Sequence, residues 1–146
     1  MSGGQDFSCV IREAFGLKEI HDPALLSPLD LAYLGDNIYE LVNRSVAVSA
    51  GSRSVQALHR ECLGRANAGT QARIAGILRD IFTEEEAAVF RRGRNAEVHT
   101  KAKNATYQEY HDATGLEAVV GYLYLLGRYD RIMELLKRGF GELGLI

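Results

Sequence analysis

Beyond Pro28 this chain contains no proline at all. An interior proline removes a backbone donor and clashes with the preceding turn, so residues 29–146 are free to build uninterrupted helices. The apolar spacing fills that freedom. Ser27-Pro28 reads as a helix start, with serine at the N-cap, proline at the first helical position and Asp30 in the first turn. Leu31, Leu34, Ile38, Leu41, Val42 and Val46 then hold helical spacing to about residue 49, and Gly51 is a natural stop. Ser54 caps a helix through Val55, Leu58, Cys62 and Leu63, and Gly64 and Gly69 mark a break. The pattern resumes from Gln71 to Ile81. Thr83-Glu84-Glu85-Glu86 is the signature of a capping box followed by a helix running into Arg91-Arg92-Gly93-Arg94-Asn95. Residues 95–105 are polar without an apolar period and read as a loop. A long helix from about Thr106 to Leu126 and a closing one from Asp130 to Phe140 complete the chain. No strand alternation and no internal repeat intrudes, so the expected fold is all-α. One domain covers residues 27–146, and residues 1–26 form a partly ordered lead-in.

Composition narrows the class. A 146-residue chain that is 47% apolar and 25% charged has the balance of an ordinary globular domain. The two cysteines, Cys9 and Cys62, lack any paired spacing and read as reduced thiols, and the four histidines lack the spacing of a zinc site. No apolar run approaches the roughly 18–20 residues of a membrane span, and the N-terminus has no signal-peptide core. A cytoplasmic protein away from membranes is expected. Net charge is −2, but Arg53 to Lys103 carries ten basic and six acidic residues, and the remainder carries seven and thirteen. That segregation is compatible with a basic face for phosphates and a separate acidic site for cations.

Two acidic positions stand out. Asp36 lies between Leu34 and Ile38 in the first long helix, four residues before Glu40, so the two carboxylates share one face. From spacing alone they are equally well read as an exposed polar edge. Gly35 beside them costs about 1 kcal/mol in a helix interior, which is offset if another backbone or a ligand must come close. Glu117 sits in the apolar stretch Leu116 to Val120, where a carboxylate needs a counter-charge, a hydrogen bond or a metal. Carboxylates from two packed helices bind a hard divalent cation through oxygen. Nothing in the residues alone brings those two helices together.

Leu31-Ala32-Tyr33-Leu34-Gly35-Asp36-Asn37-Ile38-Tyr39-Glu40 resembles the signature helix of the ribonuclease III catalytic domain. Thr114-Gly115-Leu116-Glu117-Ala118-Val119-Val120-Gly121 is similar to its second acidic helix. Phe82 to Glu86 with Arg91 to Ala96 resembles the Mini-ribonuclease III branch more closely than the larger enzymes. The resemblance runs from about residue 27 to 140 and implies a ribonuclease III-type helical bundle. It also implies an obligate homodimer that cuts double-stranded RNA, leaving 5′-phosphates and short 3′ overhangs, in maturation of large-subunit ribosomal RNA. The chain ends soon after the last helix, as expected of a form without a double-stranded-RNA-binding domain. Carried over by position, Asp36 and Glu117 would be catalytic and bind Mg²⁺, with Mn²⁺ as a substitute, and a ribosomal protein is an expected accessory. Ala32 and Thr114 occupy positions where the larger enzymes carry acids, which leaves the number of ions open. It also leaves room for an alternative, a catalytically silent RNA-binding or ribosome-associated module.

The densest basic segment is Arg91, Arg92, Arg94 and Asn95 with Lys101, Lys103 and Asn104. It reads either as a solvated helix end, where arginines suit the dipole, or as a loop gripping RNA phosphates. Glu40, His59, Arg60 and Gln71 are candidate supporting residues, each also explicable as ordinary surface.

Overall fold

The computed structural model describes residues 6–51, 53–96 and 106–146. Seven α-helices and one 3₁₀ turn are found among them: α1 Phe7–Phe15, the turn Pro23–Leu25, α2 Pro28–Ser49, α3 Val55–Ala66, α4 Ala68–Leu78, α5 Glu84–Asn95, α6 Tyr107–Leu125 and α7 Tyr129–Glu142. The fold is all-α, as the periodicity indicates, and no strand occurs among the described residues. No helix there is long and apolar enough to cross a membrane.

The centre of the molecule is α6. It packs against α2, α4, α5 and α7 at once, so no side of its middle faces solvent fully. Its sequence is apolar nearly all round, and buried residues run almost without interruption from Ala113 to Tyr124. Leu31, Tyr39, Ile74, Leu78, Phe90, Leu116, Leu123, Leu135, Leu136 and Phe140 close the core around it.

The helix ends follow local chemistry. Both halves of the capping box form at Thr83 and Glu86, where each side chain accepts from the other's backbone N–H. Thr106 and Glu109 form the same box at the start of α6. The break expected around Gly64–Gly69 is much tighter than the glycines indicate. Gly64 lies inside α3 and Gly69 inside α4, and the single residue Asn67 divides them. Its N–H donates to the Leu63 carbonyl to close α3, and its side chain accepts from Thr70 N to open α4.

Ahead of residue 27, in the stretch read as a lead-in, α1 is capped by Asp6, which also accepts from the Tyr129 hydroxyl of α7. The 3₁₀ turn is held to α5 by Arg92, which donates to the Ala24 and Leu26 carbonyls.

Candidate active site

The site is assembled where α2 crosses α6 with almost no space between backbones. A Cβ on Gly35 would sit 1.8 Å from the Glu117 carbonyl oxygen, and one on Gly121 would sit 2.1 Å from the Leu31 carbonyl oxygen. Only hydrogen at both positions permits this approach. Asp36 follows Gly35, so the crossing that requires the glycine also delivers the Asp36 carboxyl to Glu117. There Asp36 lies close enough to the Glu117 carboxyl to perturb it through hydrogen bonding and charge.

Their settings differ. Asp36 is exposed, whereas Glu117 is half-buried between Leu116 and Ala118, both fully enclosed. Burial pushes the Glu117 carboxyl up to about 9, and the hydrogen bond and charge of Asp36 push in the same direction. Gln71 opposes them by donating from Nε2 to Glu117 Oε2 at 3.5 Å. Glu40 adds a further small upward push through its charge. Every ion pair among the described residues involves other acids, so no arginine or lysine there neutralises Asp36 or Glu117. Two facing carboxyls without a cationic partner form a hard oxygen site suited to a divalent cation. Among the described residues no third His, Cys, Asp or Glu joins them in a metal-holding set.

The two positions where the larger enzymes carry acids are closed. Ala32 is buried in the core, and Thr114 is buried with its hydroxyl donating to the Tyr110 carbonyl at 2.9 Å. Neither offers a carboxylate to the crossing.

The supporting candidates divide. Gln71, on α4, is buried and faces Glu117. Glu40 accepts from Asn43 Nδ2 at 3.2 Å and from Arg44 Nε at 3.3 Å, so its oxygens are committed along its own helix. His59 and Glu40 line an apolar groove of about 250 Å³ between α2 and α3, with Ala47, Val48, Leu58 and Cys62. Arg60 is exposed on α3. Tyr39 was not singled out by the sequence. It is buried, donates to the Arg65 carbonyl, and its hydroxyl is pushed well above its ordinary value by burial and by the charges of Glu117 and Glu40.

The basic segment is less free than its composition indicates. Arg91 to Asn95 belong to the last turns of α5 rather than to a loop. Arg92 is engaged with the backbone of residues 24 and 26, and Arg94 Nε donates to Asp112 Oδ1 at 2.5 Å. Arg91 and Asn95 are exposed, and Arg91 has no ion-pair partner among the described residues. Lys101, Lys103 and Asn104 lie outside the described residues.

Comparison with known proteins places these features in company. The Ribonuclease III domain family matches residues 29–128. Mini-ribonuclease 3 of Symbiobacterium thermophilum is 46% identical over 116 residues, covering 80% of this chain and 89% of that one. Mini-ribonuclease 3 of Enterococcus faecalis is 41% identical over 119 residues, covering 80% and 90%. A crystal structure of a protein from Fusobacterium nucleatum superposes with a TM-score of 0.72 at 31% identity, covering 77% of this chain and 90% of that one.

Proposed function

This chain belongs to the ribonuclease III domain family, in its Mini-ribonuclease III branch, and from that premise we propose that it is a divalent-metal-dependent endoribonuclease acting on double-stranded RNA. The observation that carries this reading is the Asp36–Glu117 pair, two uncompensated carboxyls brought together by the α2–α6 crossing. Mg²⁺ is the expected ion, with Mn²⁺ able to replace it. The natural substrate is precursor large-subunit ribosomal RNA, cut in the cytoplasm by a homodimer with one strand taken by each site.

Asp36 and Glu117 would hold the cation through their oxygens. Bound there, a divalent ion supplies Lewis-acid polarisation of the phosphodiester and an activated water. The protein's own contribution is charge and placement. To serve as a ligand Glu117 would have to give up the proton that burial favours, and the charge of a divalent ion would offset that burial. Asp36, at the solvent edge, faces the side from which a duplex can approach. The buried wall of α6 behind Glu117 keeps that side of the pair dry. Exposed Arg91 and Asn95, with Lys101, Lys103 and Asn104 beyond them, supply phosphate contacts to an A-form backbone. Arg92 and Arg94 contribute to that grip with whatever donors their intramolecular contacts leave over.

Duplex RNA carrying natural ribosomal ends tests the proposal. With Mg²⁺ the wild-type protein cuts it to 5′-phosphate products, and chelator stops the reaction. Asp36→Asn and Glu117→Gln each lower cutting by about 10²-fold or more, in line with removal of a metal ligand, while duplex binding stays within a few-fold. Wild-type protein that binds the duplex yet never cuts it with any divalent ion would establish the silent RNA-binding module instead, a reading favoured by the closed positions at Ala32 and Thr114.

A further inference from the structure

With acids missing from positions 32 and 114, Glu117 still has one polar neighbour from a third helix. We propose that Gln71 is a positioning residue of the site: its side-chain amide, presented by α4, sets the orientation in which the Glu117 carboxylate faces Asp36. The proposal rests on the reading of Asp36 and Glu117 as the metal-binding pair.

Gln71 is only 4% exposed, an unusual place for an amide unless it has a partner. Its Nε2 lies 3.5 Å from Glu117 Oε2. Asp36 perturbs the same carboxyl from α2, so Glu117 is flanked by polar side chains of two helices that both pack on α6. The backbone carrying Gln71 is itself anchored. Asn67 caps the first turn of α4, and the Thr70 hydroxyl donates to the Gly64 carbonyl of α3 at 3.0 Å. A restraint mounted on that turn is therefore fixed relative to α3 as well as α6.

The chemistry of the side chain fits the task. An amide NH₂ donates to a carboxylate oxygen and so fixes the direction in which that oxygen points. Being neutral, it does this without competing with a cation. An arginine at the same place would neutralise the pair and displace the metal, and an apolar residue would leave Oε2 without a partner. Partners that orient a metal ligand in this way typically contribute 10- to 100-fold to metal affinity or activity.

Gln71→Met keeps the volume and removes the donor. Its affinity for Mn²⁺, read on the RNA-free protein by the loss of free-ion paramagnetic resonance signal, should fall roughly 10-fold. The kcat for duplex cleavage should fall about 10- to 100-fold with KM for RNA nearly unchanged, because Gln71 is buried away from the duplex. A merely structural role would instead lower the melting temperature and leave the ion affinity of the folded protein intact, and that result overturns the proposal. If Gln71→Met does not fold, the wild-type protein labelled with ¹⁵N gives the second reading. The Gln71 side-chain amide resonances should move on addition of Mg²⁺ and again in Glu117→Gln. Resonances that stay in place while the ion binds overturn the proposal. Wild-type protein that neither binds Mn²⁺ nor cuts RNA defeats the metal-pair reading itself, and this proposal with it. Wild-type protein that does both, with Gln71→Met matching it within twofold, defeats the Gln71 role alone.

Discussion

Glu117 is the residue whose environment differs most from what its sequence neighbours alone require. Its carboxyl is pushed up to about 9 by burial and by Asp36, against an ordinary value of 4.5 in the unfolded chain. The folded protein therefore holds a proton that the unfolded chain releases between those two values. The stabilising contribution is complete below about pH 4.5 and is lost as pH rises toward about 9. In metal-free buffer the wild-type protein should melt at progressively lower temperature across this window relative to Glu117→Gln. At pH 8 the variant should lead by on the order of 5 °C. Circular-dichroism melts of both proteins at several pH values measure it, and parallel curves would remove Glu117 from the titration. Saturating Mg²⁺ should narrow the gap by raising the wild-type curve, because only the wild type keeps both ligands. The presence of a special acid at position 117 was legible in the sequence as a charge in an apolar run. Its proton was not, because desolvation depends on how α2 and α4 close over α6.

At the scale of elements, the α2–α6 crossing is the structural decision on which the site depends. Gly35→Ala would place a methyl 1.8 Å from the backbone oxygen of Glu117, with other backbone atoms at 2.8 Å. Backbone cannot rotate away as a side chain can, so the helices must part, at a cost of about 3 kcal/mol. The same separation moves Asp36 off Glu117, and a shift of about 1 Å in such a constellation costs roughly 10²-fold in rate. Gly76→Ala on α4 is the matched control. Nothing lies within 4 Å of its added methyl, so it should stabilise by about 0.5–1 kcal/mol through helix propensity. Urea unfolding separates the two, and a Gly35→Ala protein as stable and active as wild type would refute the tight crossing. Helix spans were largely readable because caps and periodicity are local. The Asn67 junction was misjudged as a wider break because glycine is a weak stop signal inside a helix that tertiary packing supports. The RNA-facing reading of Arg92 was likewise tempered by a contact to residues 24 and 26 that no local pattern announces.

Over the whole molecule, Arg65 joins segments far apart in the chain. The residue is 3% exposed, and its guanidinium donates to Asn43 of α2, to Glu61 of α3 and to the Leu145 carbonyl near the C-terminus. Arg65→Met should cost about 3 kcal/mol, because Asn43 and the Leu145 carbonyl lose their buried donor. A denaturant midpoint unchanged from wild type would show that the network adds nothing net. Beyond the local i,i+4 pairing with Glu61, Arg65 is as anonymous in the sequence as any basic residue on a helix, since its other partners lie 22 and 80 positions away. The sequence by itself determined the all-α class, the capped helix starts and the two acidic motifs, because each depends on neighbours within a turn or two. Only the tertiary structure decided that Asp36 meets Glu117 and that Gln71 stands behind it. It also showed Ala32 and Thr114 closed and part of the basic segment committed to holding the fold. Such contacts depend on how closely two helices approach, and here that distance is set by hydrogen atoms at Gly35 and Gly121, which no periodicity records.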